Sequence, residues 1–201
     1  MERKKISFDV DGVIAEGGYV EVADRSNTTY AKKRPVSDEV IPTLQWLSMF
    51  YDIYIISTRG HPSANLGLRA WLHFILGVEL DTIAGVITHP FGDAQVAKKP
   101  NAPMDKGKIV RDLGILLHVD DSPTTVQSCK DRGILFPSDM PSSQAAKGKL
   151  PTLETWEGIR NFFTTPGMKL YGSDGMTVVS PAVEFGKTYP EVDPTKALPV
   201  Q

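Results

Sequence analysis

Acidic residues gather where apolar runs stop. Ile6-Ser7-Phe8 leads into Asp9-Val10-Asp11-Gly12, and Leu116-Leu117-His118-Val119 leads into Asp120-Asp121-Ser122. Asp and Gly by themselves are ordinary turn formers, but a second acidic strand end turns the reading toward a site. Between the two, Tyr51-Asp52-Ile53-Tyr54-Ile55-Ile56 closes in Ser57-Thr58-Arg59-Gly60. Carboxylates brought together from several strands repel one another unless a hard cation lies between them, and oxygen donors are what magnesium prefers. A lysine and a hydroxyl beside them suit a phosphate. In such a site Asp9 would attack phosphorus and carry it as an aspartyl phosphate, splitting hydrolysis into two easier steps. Asp11 would protonate the leaving oxygen and then activate water. Ser57 and a lysine would hold the transferring oxygens.

The elements that must place these residues alternate between strand and helix. After Pro35, Ser37-Asp38-Glu39 marks a helix start with Ile41, Leu44 and Leu47 on its apolar face, and Pro42 fits only in the first turn. A helix after His61-Pro62-Ser63 carries Leu66, Ala70, Trp71, Phe74 and Ile75 at helical spacing. Gly85-Val86-Ile87-Thr88 is a short strand. Asp105 caps a helix from Lys106 to Leu113 that Gly114 stops. A helix near residues 124 to 132 turns Val126 and Cys129 inward and leads to the strand Ile134-Leu135-Phe136. Residues 138 to 150 are small, polar and without period, and read as loop; residues 152 to 163 read as a helix bearing Leu153, Trp156, Ile159 and Phe163. A hairpin is expected over residues 168 to 171 and 176 to 179, around Gly172-Ser173-Asp174-Gly175. The expected architecture is α/β: a three-layer, doubly wound parallel sheet with ligands beyond the carboxyl ends of its strands. Residues 1 to 164 form the core, with residues 15 to 36 as a flap overhanging the site, and residues 165 to 201 form a hairpin and proline-punctuated tail.

With 201 residues, 41% of them hydrophobic, the chain can bury one substantial core. A formal net charge of -2 gives no global reason to expect a nucleic-acid or acidic-membrane partner. Cys129 is the single cysteine, which excludes an intrachain disulfide and points to a reducing, cytoplasmic setting. No stretch has the length and apolarity of a membrane-spanning helix, and Arg3-Lys4-Lys5 opens a strand rather than a signal peptide.

Taken together, these runs resemble the haloacid dehalogenase (HAD) superfamily of phosphohydrolases over roughly residues 5 to 136. Its first motif is matched by Asp9-Val10-Asp11-Gly12-Val13, its second by Ile55-Ile56-Ser57, and its fourth by Val119-Asp120-Asp121-Ser122. The third, a lysine, has three candidates: Lys99 in Lys99-Pro100, then Lys106 in Lys106-Gly107, then Lys108. The resemblance implies a Mg²⁺-dependent phosphatase with metal held by Asp9, the backbone carbonyl of Asp11 and Asp121, with Asp120 acting through water. Ser57, Thr58, Arg59, Lys99 and Lys106 are the expected phosphate-binding residues; Arg59 serves equally well in a surface salt bridge. Asp11, where the ion-pumping branch carries threonine, implies a phosphatase rather than an ATPase. No insertion is large enough for a cap domain, which resembles the capless branch with its polynucleotide 3'-phosphatases and the minimal-cap deoxyribonucleotidases. The implied substrate is a nucleotide or a nucleic-acid end, and the C-terminal extension is a place for homo-oligomer contact. A non-catalytic phospho-ligand binding or scaffold protein and a phosphotransferase are the competing readings. His61 and His89 read as loop residues and His118 as a satisfied core or interface histidine.

Overall fold

In the computed structural model, which describes residues 3–16, 34–58, 64–74, 82–88 and 104–182, the apolar runs become one sheet. Its strands are β1 (Lys4–Phe8), β2 (Tyr51–Ile56), β3 (Gly85–Ile87), β4 (Leu117–Asp120) and β5 (Gly133–Leu135), in the order β3-β2-β1-β4-β5. Every pairing is parallel. A parallel sheet is covered on both faces, and this is why Ile6, Ser7 and Phe8 are all fully buried although their side chains alternate.

The covering helices are α1 (Val40–Ser48), α2 (Ala64–Phe74), α3 (Lys106–Asp112), α4 (Pro123–Cys129), α5 (Pro141–Ala146) and α6 (Trp156–Thr164). Three apolar clusters pack against the sheet, the third joining Leu135 of β5 to Val126, Ala146 and Leu150. Of the other two, the larger joins Phe8, Leu44 and Leu47 to Trp156, Ile159 and Phe163, and the smaller joins Ile56 and Ile115 to Val110 of α3 and Cys129 of α4. Asp105 does cap α3, accepting from the backbone N–H of Lys108 at 2.9 Å, and Gly114 ends that helical turn with φ +65°. The expected hairpin is present as β6 (Lys169–Tyr171) and β7 (Thr177–Val179), with Val178 buried in the larger cluster.

Strand order reverses on either side of β1, between β2 and β4, so the crevice of this fold opens at the carboxyl end of β1. The register pairs Phe8 with Ile55 on one side and with Val119 on the other. Asp9, the residue after Phe8, therefore comes level with Asp120, the residue after Val119.

Two segments differ from the sequence expectation. Residues 138 to 150 contain the helix α5, which lacks an apolar period because the residues it buries are Ser143 and Ala146. The last core helix starts at Trp156 rather than at Thr152. Pro151 to Leu153 instead extend beside β5, with Leu135 N–H on the Pro151 carbonyl at 2.8 Å and Leu153 N–H on that of Leu135 at 2.9 Å. Thr155 then caps α6 by accepting from Gly158 N–H. The base of the expected flap is pinned, since Ala15 bridges Pro35 and Glu16 N–H donates to the Arg34 carbonyl at 2.9 Å; residues 17–33 lie outside the described ones.

Candidate active site

The chain leaves β1 in a tight curl. Asp9 N–H prolongs the ladder to the Val119 carbonyl at 2.9 Å, and the Val10 carbonyl accepts from Ile14 and Ala15 at 2.9 and 2.8 Å. Gly12 sits in this curl at φ +77°, and a Cβ there would stand 2.3 Å from Asp121 Oδ2. Only glycine permits both the left-handed backbone and that approach. The curl is fastened to α6, because Trp156 Nε1 donates to the Val13 carbonyl at 2.9 Å while its ring stacks on Phe8.

Lys106 reaches the same place from the other flank. It is the first residue of α3, and α3 lies so close to α4 at Gly107 that a Cβ would meet the Ser128 carbonyl at 2.3 Å. From there Lys106 Nζ stands 2.9 Å from Asp9 Oδ2 and 2.7 Å from Asp120 Oδ2. Asp120 is held from other directions too. Its Oδ1 accepts from Ser122 N–H at 2.9 Å, and its Oδ2 lies 3.0 Å from His118 Nε2, whose Nδ1 is 2.9 Å from Ser7 Oγ. Asp121 is positioned through α5: Ser143 Oγ donates to its backbone carbonyl at 2.7 Å and accepts from Ser138 N–H at 3.1 Å.

These carboxyls do not titrate alike. Burial is the largest influence on Asp9 and raises its pKa; the charges of Asp120 and Asp11 add to this, and Lys106 opposes it. Asp120 is just as buried, but Lys106 and His118 outweigh that cost and bring it down to about 2. Asp121 is pushed up to about 7 by burial and by the charges of Asp120 and Asp9, against a hydrogen bond from Ser138. Burial would depress Lys106, yet Asp9 and Asp120 beside it hold its ammonium above the ordinary value. Among the described residues the site is thus short of positive charge, with Lys106 against Asp9, Asp120 and Asp121.

That shortage matches the donor set. One carboxylate oxygen from each of Asp9, Asp120 and Asp121 can lie within 4.8 Å of the other two, an all-oxygen arrangement that fits a hard divalent cation. Asp11 is half-buried beside this group and close enough for its charge to act on Asp9. Ser57 is buried just past the end of β2, its N–H on the Ile87 carbonyl at 2.9 Å, and Thr58 after it is exposed with Oγ1 3.9 Å from Met104 Sδ. Of the candidate lysines, Lys106 enters the cluster, whereas Lys108 points outward and pairs with Asp112. Lys99, Arg59, His61 and His89 lie outside the described residues.

Ser7, Ser138 and Ser143 are site-supporting residues that pattern reading passed over, while His118, read as a satisfied core or interface histidine, is buried and hydrogen-bonded to Ser7 and Asp120. Ser7 did leave a signal. Ser7 and His118 are polar residues inside apolar runs, each stands two positions before the leading aspartate of its strand, and the β1–β4 register places them directly opposite each other.

No protein-family model matches the sequence, and no curated protein matches it. Solved structures do. The chain is similar to a D,D-heptose 1,7-bisphosphate phosphatase from B. bronchiseptica complexed with magnesium and phosphate, at 14% identity and a TM-score of 0.55 over 79% of this chain and 96% of that one. It is also similar to the HAD domain of the effector protein Lem4 from Legionella pneumophila, at 17% identity and a TM-score of 0.45, covering 72% of this chain and 92% of that one. The likeness to the heptose bisphosphate phosphatase is one of fold, a Rossmann-like α/β sandwich around a parallel sheet. Among the described residues no helix is long and apolar enough to cross a membrane.

Proposed function

We propose that the chain is a magnesium-dependent phosphomonoesterase of the HAD superfamily that works through an aspartyl phosphate on Asp9. The observation that carries this reading is the placement of Lys106 Nζ, 2.9 Å from Asp9 and 2.7 Å from Asp120, beside the three-aspartate cluster. A binding module needs a cation for its phosphate, but it does not need a second acid, Asp11, within electrostatic reach of the first.

The residues divide the work as follows. An oxygen of Asp9 attacks phosphorus in line, and the bond to the leaving oxygen breaks as Asp11 gives that oxygen a proton. Asp11, now ionised, takes a proton from a water that attacks the same phosphorus, which frees phosphate and restores Asp9. Lys106 and Ser57 hold the non-bridging phosphoryl oxygens through both steps. Asp9, Asp121 and the backbone carbonyl of Asp11 would hold Mg²⁺, which offsets charge on the phosphoryl oxygens and favours ionised Asp9.

The preferred substrate in this reading is a nucleotide or a polynucleotide end, supported by the absence of a cap-sized insertion in the sequence. The deciding experiment is phosphate release from p-nitrophenyl phosphate with Mg²⁺. Asp9→Asn is expected to lose turnover by about 10⁴-fold or more. Turnover that survives in Asp9→Asn would sink the covalent route. A panel of nucleotides, 3'-phosphorylated oligonucleotides, sugar phosphates and phosphopeptides then ranks substrates, and preference for a sugar phosphate would overturn the nucleotide assignment.

A further inference from the structure

We propose that His118, oriented by Ser7, is a positioning residue for this reaction: it fixes Asp120 as the counter-ion of Lys106 and thereby sets where the lysine stands relative to Asp9. The proposal rests on the reading of the site given above. Its physical basis is that Lys106 is shared by two carboxylates at almost equal distance, 2.9 Å to Asp9 and 2.7 Å to Asp120. A lysine ammonium on four methylenes has no geometry of its own. Its position is therefore decided by whichever carboxylate is the more rigid.

Asp120 is the rigid one. Its Oδ1 accepts from Ser122 N–H, and its Oδ2 receives both Lys106 and His118 Nε2, at 2.7 and 3.0 Å. The carboxylate cannot rotate without breaking a buried, charge-assisted hydrogen bond. The histidine is fixed in turn. The arrangement is satisfied when Ser7 Oγ–H donates to Nδ1 at 2.9 Å, which leaves the ring proton on Nε2, directed at Asp120. Ser7 and His118 are both 0% exposed and paired across β1 and β4. Packing alone does not ask for this, because an apolar pair at those positions would fill the same space without two polar groups to satisfy.

A functional division follows. With its oxygens engaged by Ser122, Lys106 and His118, Asp120 is committed to the lysine, and Asp9 and Asp121 are the carboxylates that would hold a cation. Disturbing His118 is then expected to misplace Lys106, and so to act on turnover rather than on metal affinity. Loss of a side chain that orients a reacting group costs about 10–100-fold in comparable sites.

The test compares wild type, His118→Leu, His118→Gln and Ser7→Ala with p-nitrophenyl phosphate, reading kcat, KM and the Mg²⁺ midpoint, and records the ring-nitrogen spectrum of the ¹⁵N-histidine-labelled wild-type protein. His118→Leu is expected to lower kcat at least tenfold, with KM and the Mg²⁺ midpoint within twofold of wild type. His118→Gln, whose amide nitrogen can take the place of Nε2, is expected to restore kcat to within about threefold. The spectrum is expected to show Nε2 protonated. Equal impairment in the Leu and Gln variants would mean packing and overturn the proposal, as would a loss confined to the Mg²⁺ midpoint or an unprotonated Nε2. If His118→Leu does not fold, Ser7→Ala decides: a kcat reduced threefold or more supports the proposal, and an unchanged kcat refutes it. Wild-type protein inactive across the whole substrate panel would overturn the phosphatase reading and this proposal together, whereas activity indifferent to residue 118 overturns this proposal alone.

Discussion

Charge balance at single residues governs this site. Lys106 is the buried cation between Asp9 and Asp120, and removing one partner of such a group leaves the others uncompensated. Lys106→Met keeps most of the volume and is expected to cost about 3–5 kcal/mol in denaturant unfolding at neutral pH. The lower end of that range is favoured, because Asp9, already raised by burial, can take up a proton when the lysine is gone. Asp121 makes a second prediction, about pH. Its carboxyl titrates near 7 in the folded protein against an ordinary value of 3.8. A raised carboxyl favours the folded state fully below the unfolded value, and that contribution is lost as pH rises through the folded one. Burial acts on Asp9 in the same direction, while Asp120, at about 2, contributes stability that is lost only in strong acid. Metal-free protein is therefore expected to lose stability between about pH 4 and pH 7. A cation that binds the ionised cluster reverses this, so the rise in Tm on adding Mg²⁺ should be larger at pH 8 than at pH 5.5. An equal rise at both would mean that Asp121 is not titrating against the metal.

Whole elements place these charges, and glycines set the closest approaches. At Gly107 a Cβ would collide with the Ser128 carbonyl at 2.3 Å, whereas at Gly114, φ +65°, no atom lies within 4 Å of one. Gly114→Ala is then expected to cost roughly 1–2 kcal/mol through backbone strain with turnover unchanged. Gly107→Ala costs about 1–3 kcal/mol by overpacking and must also move α3 off α4, carrying Lys106 with it. Turnover should fall at least tenfold in the second variant and not in the first; equal activities would detach the position of Lys106 from the α3–α4 contact. This contrast also explains what could be read from the chain. Strand ends were legible because each apolar run stops at its polar residues, so Asp9, Ser57, Asp120 and Asp121 stood out. The lysine motif did not: Lys99-Pro100 fits it as well as Lys106-Gly107, residue 99 lies outside the described residues, and between Lys106 and Lys108, which share one helix, the contact at Gly107 decides which faces inward. Helix α5 was invisible for a related reason: it buries Ser143 and Ala146, so the side chain that steadies the Asp121 backbone carbonyl breaks the apolar period that would have revealed the helix.

At the scale of the molecule, the fold separates the end that carries chemistry from the end that carries closure. Lys4 opens β1, and its Nζ donates to the Pro181 carbonyl at 2.9 Å, so the segment after the hairpin lies against the amino end of the sheet. Ser180 N–H donates to the Met168 carbonyl at 2.8 Å and the Ser180 hydroxyl donates to that of Phe162, which straps the base of the hairpin to the last turn of α6. Val178 completes the larger apolar cluster there, while Leu170 opposite it packs on the same cluster. Asp9, Lys106 and Asp121 sit at the other end, beyond the carboxyl ends of the strands. A cavity in the closure should therefore lower stability without reaching the reaction. Val178→Ala removes a fully buried side chain and is expected to cost about 1.5–3 kcal/mol. Its kcat and Mg²⁺ midpoint, measured well below its Tm, should match wild type, because closely packed layers confine the loss to the side chains lining the cavity. Loss of turnover in this variant in proportion to its loss of stability would show instead that α6, through the Trp156 hydrogen bond to Val13, transmits strain from the hairpin to the curl that holds Asp11 and Gly12. Trp156→Phe, which keeps the stacking and removes that hydrogen bond, would then uncouple the two ends when combined with Val178→Ala.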